Sequence, residues 1–210
     1  MDIVSIYRIS DNSNREKIKP DYASKHNCLR TFVREFGREN LIVLCDNVSD
    51  ETFNMVHEFV DADNIHRTSN GNTGSFIASW DLGKRIAEQY GDDIIIYFVE
   101  DDYIHRRGAK QILIEGFRDL DANYVTLYDH PDKYQNFKDE RFTWDHGNQD
   151  EDFKEMWDVH YNKHLPMGGD TFRMLEAKGK SLISCVPSYA AHGEEKWLPY
   201  FINWKEEAKS

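Results

Sequence analysis

Cysteine is scarce in this chain of 210 residues: Cys28, Cys45 and Cys185 are all it has. An odd number, wide spacing and the lack of any CxxC pair exclude a disulfide framework. Cys45 and Cys185 lie in strand-like runs, where they read as reduced core residues of a cytosolic protein. None of the nine histidines makes HExxH or a zinc-like Cys/His spacing, which argues against a zinc site. Positive charge is short as well. Lys and Arg number 26 against 38 Asp and Glu, a net charge of −12, so no basic face is on offer to a nucleic-acid backbone. That deficit says little about a nucleotide held through a metal, since a cation bridges two anionic partners. Long hydrophobic runs are also missing: nothing approaches the roughly 20 apolar residues that span a bilayer, and no leader precedes a first strand that begins at about residue 2. The expectation is a soluble, cytoplasmic protein with no membrane span. The polar tail KEEAKS can be a terminus or the start of a linker to further domains. Dinucleotide and P-loop fingerprints, internal repeats and low-complexity tracts are absent too.

What is present is a folded chain. Apolar residues at 40% and aromatics at 13% exclude disorder, and the length suits one domain, residues 1–210, with a real core. Strand and helix alternate for the first 130 residues or so. Strands are expected at Ile3–Tyr7, Leu41–Cys45, Ile65–Thr68, Ile94–Val99 and Tyr124–Tyr128. Helices are expected over Ala23–Phe36, which Gly37 ends, from Ser49-Asp50-Glu51 through Val60, over Gly74–Tyr90 and over Ala109–Leu120. In the third of these, Phe76, Ile77, Trp80, Ile86 and Ala87 form the expected inward side. A helix from about Asp170 to Lys178 and a strand at Leu182–Val186 close the chain. Such alternation implies an α/β fold with a mostly parallel central sheet and helices on both faces. Between His130 and Met167 the regularity fades into polar, aromatic and charged sequence, a natural place for a second binding site.

The most informative stretch is IIIYFVEDDY, residues 94–103. A β-branched apolar run reads as a central strand buried on both faces, and it stops at Glu100, Asp101 and Asp102. Three adjacent anions repel and resist desolvation, so they need a shared cation or access to solvent. Ligands in open α/β sheets bind beyond the carboxyl ends of strands, where these acids stand. Oxygen ligands there would select Mg²⁺ or Mn²⁺ over Zn²⁺. The plain alternative is a solvated loop with an acidic helix cap. Three further features carry similar pairs of readings. TSNGNTGSF, residues 68–76, is either an ordinary glycine-rich loop or a close backbone approach to an anion. Gly168-Gly169-Asp170 is either an N-cap or a general base held ionised at a helix start. His192, before Gly193, is either a solvated loop histidine or the partner that completes a metal site with the carboxylates.

In this order the four features resemble the GT-A class of nucleotide-sugar glycosyltransferases: an acidic DxD-type motif at a strand end, a glycine-rich loop, an acid opening a later helix and a histidine near the C-terminus. VEDDYIHRRGA and YVTLYDHPDKY are similar to small glycosyltransferase-like proteins of bacteria and large DNA viruses, including capsid-glycan glycosyltransferase domains of algal viruses. The resemblance covers roughly residues 2–204, and one departure is Gly169, where the family often carries an acid. It implies a GT-A-like α/β/α sandwich with an irregular second half. A nucleotide-binding part spans about 1–103 and an acceptor-binding part about 104–204. The implied donor is a nucleotide sugar, a UDP-sugar such as UDP-glucose, and the implied acceptor a hydroxyl of a glycan or glycoprotein; a viral source would place the protein in host-cell cytoplasm. By the same resemblance Tyr7, Arg8, Ser10 and Asp46 hold the nucleoside, and Asn72 and Ser75 lie near the diphosphate or sugar. Glu100 can reach a sugar hydroxyl or metal-bound water, Asp101 can do this or bind the metal directly, and Asp102 and His192 ligate Mn²⁺ or Mg²⁺. Asp170 is the implied base. Asp129 and His130, with Trp144, Trp157 and Tyr161, are the acceptor candidates, although core packing also accounts for the three aromatics. Two competing readings stand beside this one. A nucleotidyltransferase shares the sheet and paired acids, but RISDNSNREK has no glycine to cradle a triphosphate. A carbohydrate-binding module whose acids hold structural Ca²⁺ needs no chemistry at all.

Overall fold

A computed structural model of the chain describes residues 2–12, 18–120, 122–131, 177–199 and 201–210. Four parallel strands form the main sheet: β1 (Asp2–Ser10), β2 (Leu41–Asp46), β3 (Ile65–Thr68) and β4 (Ile94–Glu100), in the order β3-β2-β1-β4. Between them run α1 (Lys25–Phe36), α2 (Asp50–His57) and α3 (Gly71–Tyr90). Side chains alternate across β1, so Tyr7 and Ile9 meet Leu29, Phe32 and Val56 on one face, while Ile6 meets Leu44 and Ile86 on the other. Helices α1 and α2 cover the first face and α3 the second, which gives an α/β fold in three layers. The helix starts follow from capping: Ser24 Oγ accepts from Asn27 N–H and Ser49 Oγ from Thr52 N–H, each at 3.2 Å. Gly37, at φ 82°, takes the left-handed turn that stops α1.

Beyond β4 come β5 (Tyr103–His105), α4 (Ala109–Leu120), β6 (Tyr124–Thr126), β7 (Leu182–Ser184), β8 (Ala190–His192) and a short C-terminal α5 (Trp204–Glu207). β6 and β7 pair parallel, and β5 and β8 pair antiparallel. The β5/β8 ribbon is seated by Ile104 and Ala191, which pack with Ala23, Cys28, Trp204 and Ala208. No described helix is long and apolar enough to cross a membrane.

Two expectations are corrected. Among the described strands β1, not β4, is interior to the sheet, and β4 lies at one end. Helices pack on both its faces, but unequally: Ile95 is buried with Leu113 of α4, whereas Ile96 is half-buried against the cluster that contains Ile86 of α3 and Phe98 is exposed, so the strand expected to be buried on both faces is buried on one. Facial burial and lateral position are independent. The inward side of α3 also differs: Ile86 is buried as expected, but Ile77, Trp80 and Ala87 are exposed, and the helix buries Ser75, Ser79 and Gly83 in their place. Small residues let α3 approach closely: a Cβ at Gly83 would stand 2.6 Å from Phe98 Cζ. The helix expected from Asp170 begins outside the described residues.

Candidate functional site at the carboxyl end of the sheet

The parallel register sets up the site. β1 and β4 bring Arg8 opposite Glu100, and β1 and β2 bring Ser10 opposite Asp46. Arg8 lies on the α3 face of β1, where its guanidinium pairs with the Glu100 carboxylate. It also donates to the Asn72 carbonyl at 2.8 Å, to Asn72 Oδ1 at 3.3 Å and to Ser75 Oγ at 3.0 Å. Arg8, Asn72, Ser75 and Glu100, 92 residues apart at the extremes, thus form one polar cluster.

Asp101 and Asp102 occupy the turn between β4 and β5. Asp101 Oδ2 accepts from Ser10 N–H at 3.1 Å and lies 3.9 Å from Lys25 Nζ. Burial, then the neighbouring Asp102 charge, push its carboxyl up to about 6. Lys25 also pairs with Asp11 Oδ1 at 2.5 Å. Asp11 further accepts from Ser49 N–H and Thr52 Oγ1; burial would raise its pKa, but these bonds together with Lys25 outweigh it and hold the pKa down at about 2.

Asp102 is buried, and its Oδ2 meets two cationic or potentially cationic groups: His192 Nε2 at 3.2 Å and Lys19 Nζ at 3.1 Å. The β5/β8 ribbon brings His192 there by pairing it with Tyr103. Gly193 completes the approach. Its N–H donates to the Asp102 carbonyl at 2.6 Å, and a Cβ on it would stand 2.9 Å from Ala23 Cβ and 3.0 Å from that carbonyl oxygen. Only glycine fits there without a shift.

The carboxylate oxygen and imidazole nitrogen make a mixed donor pair that suits Mn²⁺ better than Mg²⁺. Adjacent ligands about 2.1 Å from an octahedral ion lie about 3 Å apart, close to the observed spacing; that spacing is also an ordinary hydrogen-bond distance. His192 Nδ1 is buried with no hydrogen-bond partner among the described residues, so nothing behind the ring fixes its tautomer and Nε2 is able to donate to Asp102 or to ligate. An oxygen and a nitrogen at this spacing accommodate a divalent ion or the hydrogen bond itself, while the outer partner that usually orients a metal-bound imidazole is not present among the described residues. Among the described residues no group of three or more His, Cys, Asp or Glu side chains is placed to hold a metal.

The remaining expected residues are distributed as follows. Tyr7 is fully buried, edge-on to Phe32 with ring centroids 5.5 Å apart, so its side chain belongs to the core and offers no surface to a nucleoside. Asp46 is buried and spent on its own loop, accepting from Thr68 Oγ1 at 2.9 Å, Asn70 N–H at 2.6 Å and Asn47 Nδ2 at 2.8 Å. Beside it an open groove is lined by Asn47, Val48, Arg67, Thr68 and Ser69. Asp129 is buried, its N–H donating to Ser188 Oγ at 2.6 Å. His130 lies tilted 4.8 Å from Trp197 and edge-on 5.0 Å from Tyr128, and Tyr128 in turn lies 6.5 Å from the His192 ring, so rings link His130 to the Asp102 corner. Asp170, Gly168-Gly169, Trp144, Trp157 and Tyr161 lie outside the described residues. Sequence reading missed Lys19 and Lys25, the basic partners of the acids. Both sit in or beside the polar loop after β1, and no spacing rule links a loop lysine to an acid 83 residues later.

Against known proteins, no family model, curated sequence or solved structure matches this chain, so the site rests on its own residues.

Proposed function

We propose that the chain is a metal-dependent glycosyltransferase of GT-A-like fold that moves a hexose from a nucleotide sugar, a UDP-sugar in the first instance, to a hydroxyl of a glycan or glycoprotein. One observation carries the reading. Asp102 and His192, 90 positions apart, meet at 3.2 Å beyond the carboxyl end of a parallel strand, next to Glu100, which ends the apolar β4 run, and Asp101 in the turn that follows. The open groove between Asn47 and Ser69 suits a nucleoside at the ends of β2 and β3, and Arg8 lies between that side and the acids. Asp102 and His192 would hold a divalent ion, which when bound neutralises the diphosphate that leaves as the sugar C1–O bond breaks. The acceptor oxygen bonds to C1 and gives up its proton to a base, for which Asp170 is the candidate by resemblance.

A specific observation favours a second reading. Each acid already has a basic partner, Arg8 for Glu100, Lys25 for Asp101 and Lys19 for Asp102, so a purely structural ion-pair network accounts for their persistence. Titration calorimetry separates the two. Glycosyl transfer predicts UDP binding that tightens at least tenfold with Mn²⁺, release of glucose from UDP-glucose, and loss of the Mn²⁺-dependent part in Asp102→Ala. UDP affinity that is absent, or indifferent to Mn²⁺ and to the substitution, refutes it.

A further inference from the structure

Lys19 occupies an unusual position for a loop lysine. Its ammonium lies 3.1 Å from Asp102 Oδ2, the same oxygen that His192 Nε2 meets at 3.2 Å, and its side chain is only 24% exposed. The backbone on either side is pinned: the Ile18 carbonyl accepts from Glu195 N–H at 3.0 Å, and the Pro20 carbonyl from Ala23 N–H at 2.8 Å. The side chain can therefore swing while its backbone stays fixed. An ammonium and a divalent ion are alternative solutions to one electrostatic problem, the buried Asp102 carboxylate beside the half-buried Asp101 carboxylate. Both cannot use the same oxygen at close range, because they repel.

We infer that Lys19 is an internal competitor for the cation position at Asp102. A divalent ion enters by displacing the ammonium, and the displaced ammonium is then compensated by a phosphate oxygen of a bound nucleoside diphosphate. Metal and nucleotide consequently bind together better than apart, by the reciprocity of linked equilibria. This rests on the metal-dependent reading above and deepens it: Lys19 sets how strongly the ion waits for the nucleotide. No bond is made or broken in the exchange, only ion pairs.

The test uses Lys19→Met, which keeps the unbranched apolar stem and removes the charged end, and Lys19→Arg, which keeps the charge. Mn²⁺ binding to each intact protein is read by calorimetry and by the electron paramagnetic resonance of free Mn²⁺, alone and with saturating UDP. Lys19→Met is expected to bind Mn²⁺ alone at least tenfold more tightly than wild type and to lose most of the enhancement by UDP, whereas Lys19→Arg behaves as wild type. Circular dichroism checks the fold; if Lys19→Met does not fold, Lys19→Gln is measured in its place. Wild type and neutral variant binding Mn²⁺ alike, with UDP enhancement intact in both, overturns the competition and leaves the glycosyltransferase reading standing. No Mn²⁺ binding by any of the proteins, with or without UDP, overturns both.

Discussion

At the scale of single residues, the site depends less on its acids than on the small residue that lets them meet their partner. Gly193 has no room for a Cβ, with Ala23 Cβ at 2.9 Å and the Asp102 carbonyl oxygen at 3.0 Å from where it would be. Both neighbours are rigid, one a methyl on buried Ala23 and the other backbone, so neither yields as a flexible side chain would. Gly193→Ala should therefore push β8 away from the turn, lengthen the His192–Asp102 approach and cost about 1–3 kcal/mol in stability. The expected outcome is a lower midpoint in urea together with weakened Mn²⁺-dependent UDP binding. A variant with wild-type stability and binding would show that the ribbon does not hold His192 in place. Asp101 illustrates the other residue-scale lesson. A carboxyl raised to about 6 by burial and by Asp102 is poorly settled despite Ser10 and Lys25 nearby. Local basic partners thus reduce the electrostatic cost of this corner without removing it.

At the scale of elements, glycine contacts distinguish packing that can relax from packing that cannot. On α4, a Cβ at Gly116 would stand 2.9 and 3.0 Å from the two γ-carbons of Val125 in β6. A β-branched side chain has little rotamer freedom with which to retreat. On α3, a Cβ at Gly83 would stand 2.6 Å from the ring tip of Phe98, which is 38% exposed and can turn outward at the expense of its stack on Trp80, and 3.2 Å from Ile96 Cγ2, a milder approach to a stiff neighbour than either contact at Gly116. Either substitution gains up to about 1 kcal/mol of helix propensity. For Gly83→Ala the two effects should nearly cancel, while Gly116→Ala should be destabilising by about 1–2 kcal/mol, since overpacking against a stiff neighbour costs about 1–3 kcal/mol. Denaturant melts of the two variants check the order, and a reversed order would contradict the seating of β6 on α4. The same contrast explains what the sequence disclosed. The apolar faces of α1, α2 and α4 and the short apolar or β-branched runs of β1, β2, β3 and β4 were legible, within a few residues at their ends. The face of α3 was not, because close approach selects Ser75, Ser79 and Gly83, which hydrophobic pattern counts as outward. β5 and β8 were not legible either: each has three residues, too few for any period, yet their pairing joins Asp102 to His192. The acids and His192 stood out as chemistry; Lys19 and Lys25 did not, because only the folded loop after β1 and the start of α1 bring them to the acids.

At the scale of the whole molecule, the ribbon that carries the site is tied to the main sheet through one buried histidine. His105 Nε2 and Tyr97 OH of β4 share a hydrogen bond of 2.9 Å. His105 N–H donates to Thr31 Oγ1 at 3.1 Å, and its carbonyl accepts from Arg34 at 2.7 Å, both on α1. Burial first, and the Arg34 charge second, press the His105 imidazole down from 6.5 to about 3, so it is neutral in the native state. The unfolded chain takes up this proton below about 6.5 and the folded chain only near 3, so the unfolded state binds more protons across that interval. Stability from this group is complete above about 6.5 and is lost progressively as pH falls toward 3. His105→Gln keeps a hydrogen-bonding group near Tyr97 without a titrating one. Subtracting its urea-unfolding free energies from those of wild type cancels the other titrating groups and isolates His105. The difference should shift against wild type by on the order of 1 kcal/mol per pH unit as pH is lowered from about 6.5 to 4, and stay flat from about 7 to 8. A difference that is constant over the whole range would mean that the imidazole is solvated or already charged in the native protein. In that case the ribbon could not be anchored by a neutral Tyr97–His105 pair, and the position of His192 beside Asp102 would need another support.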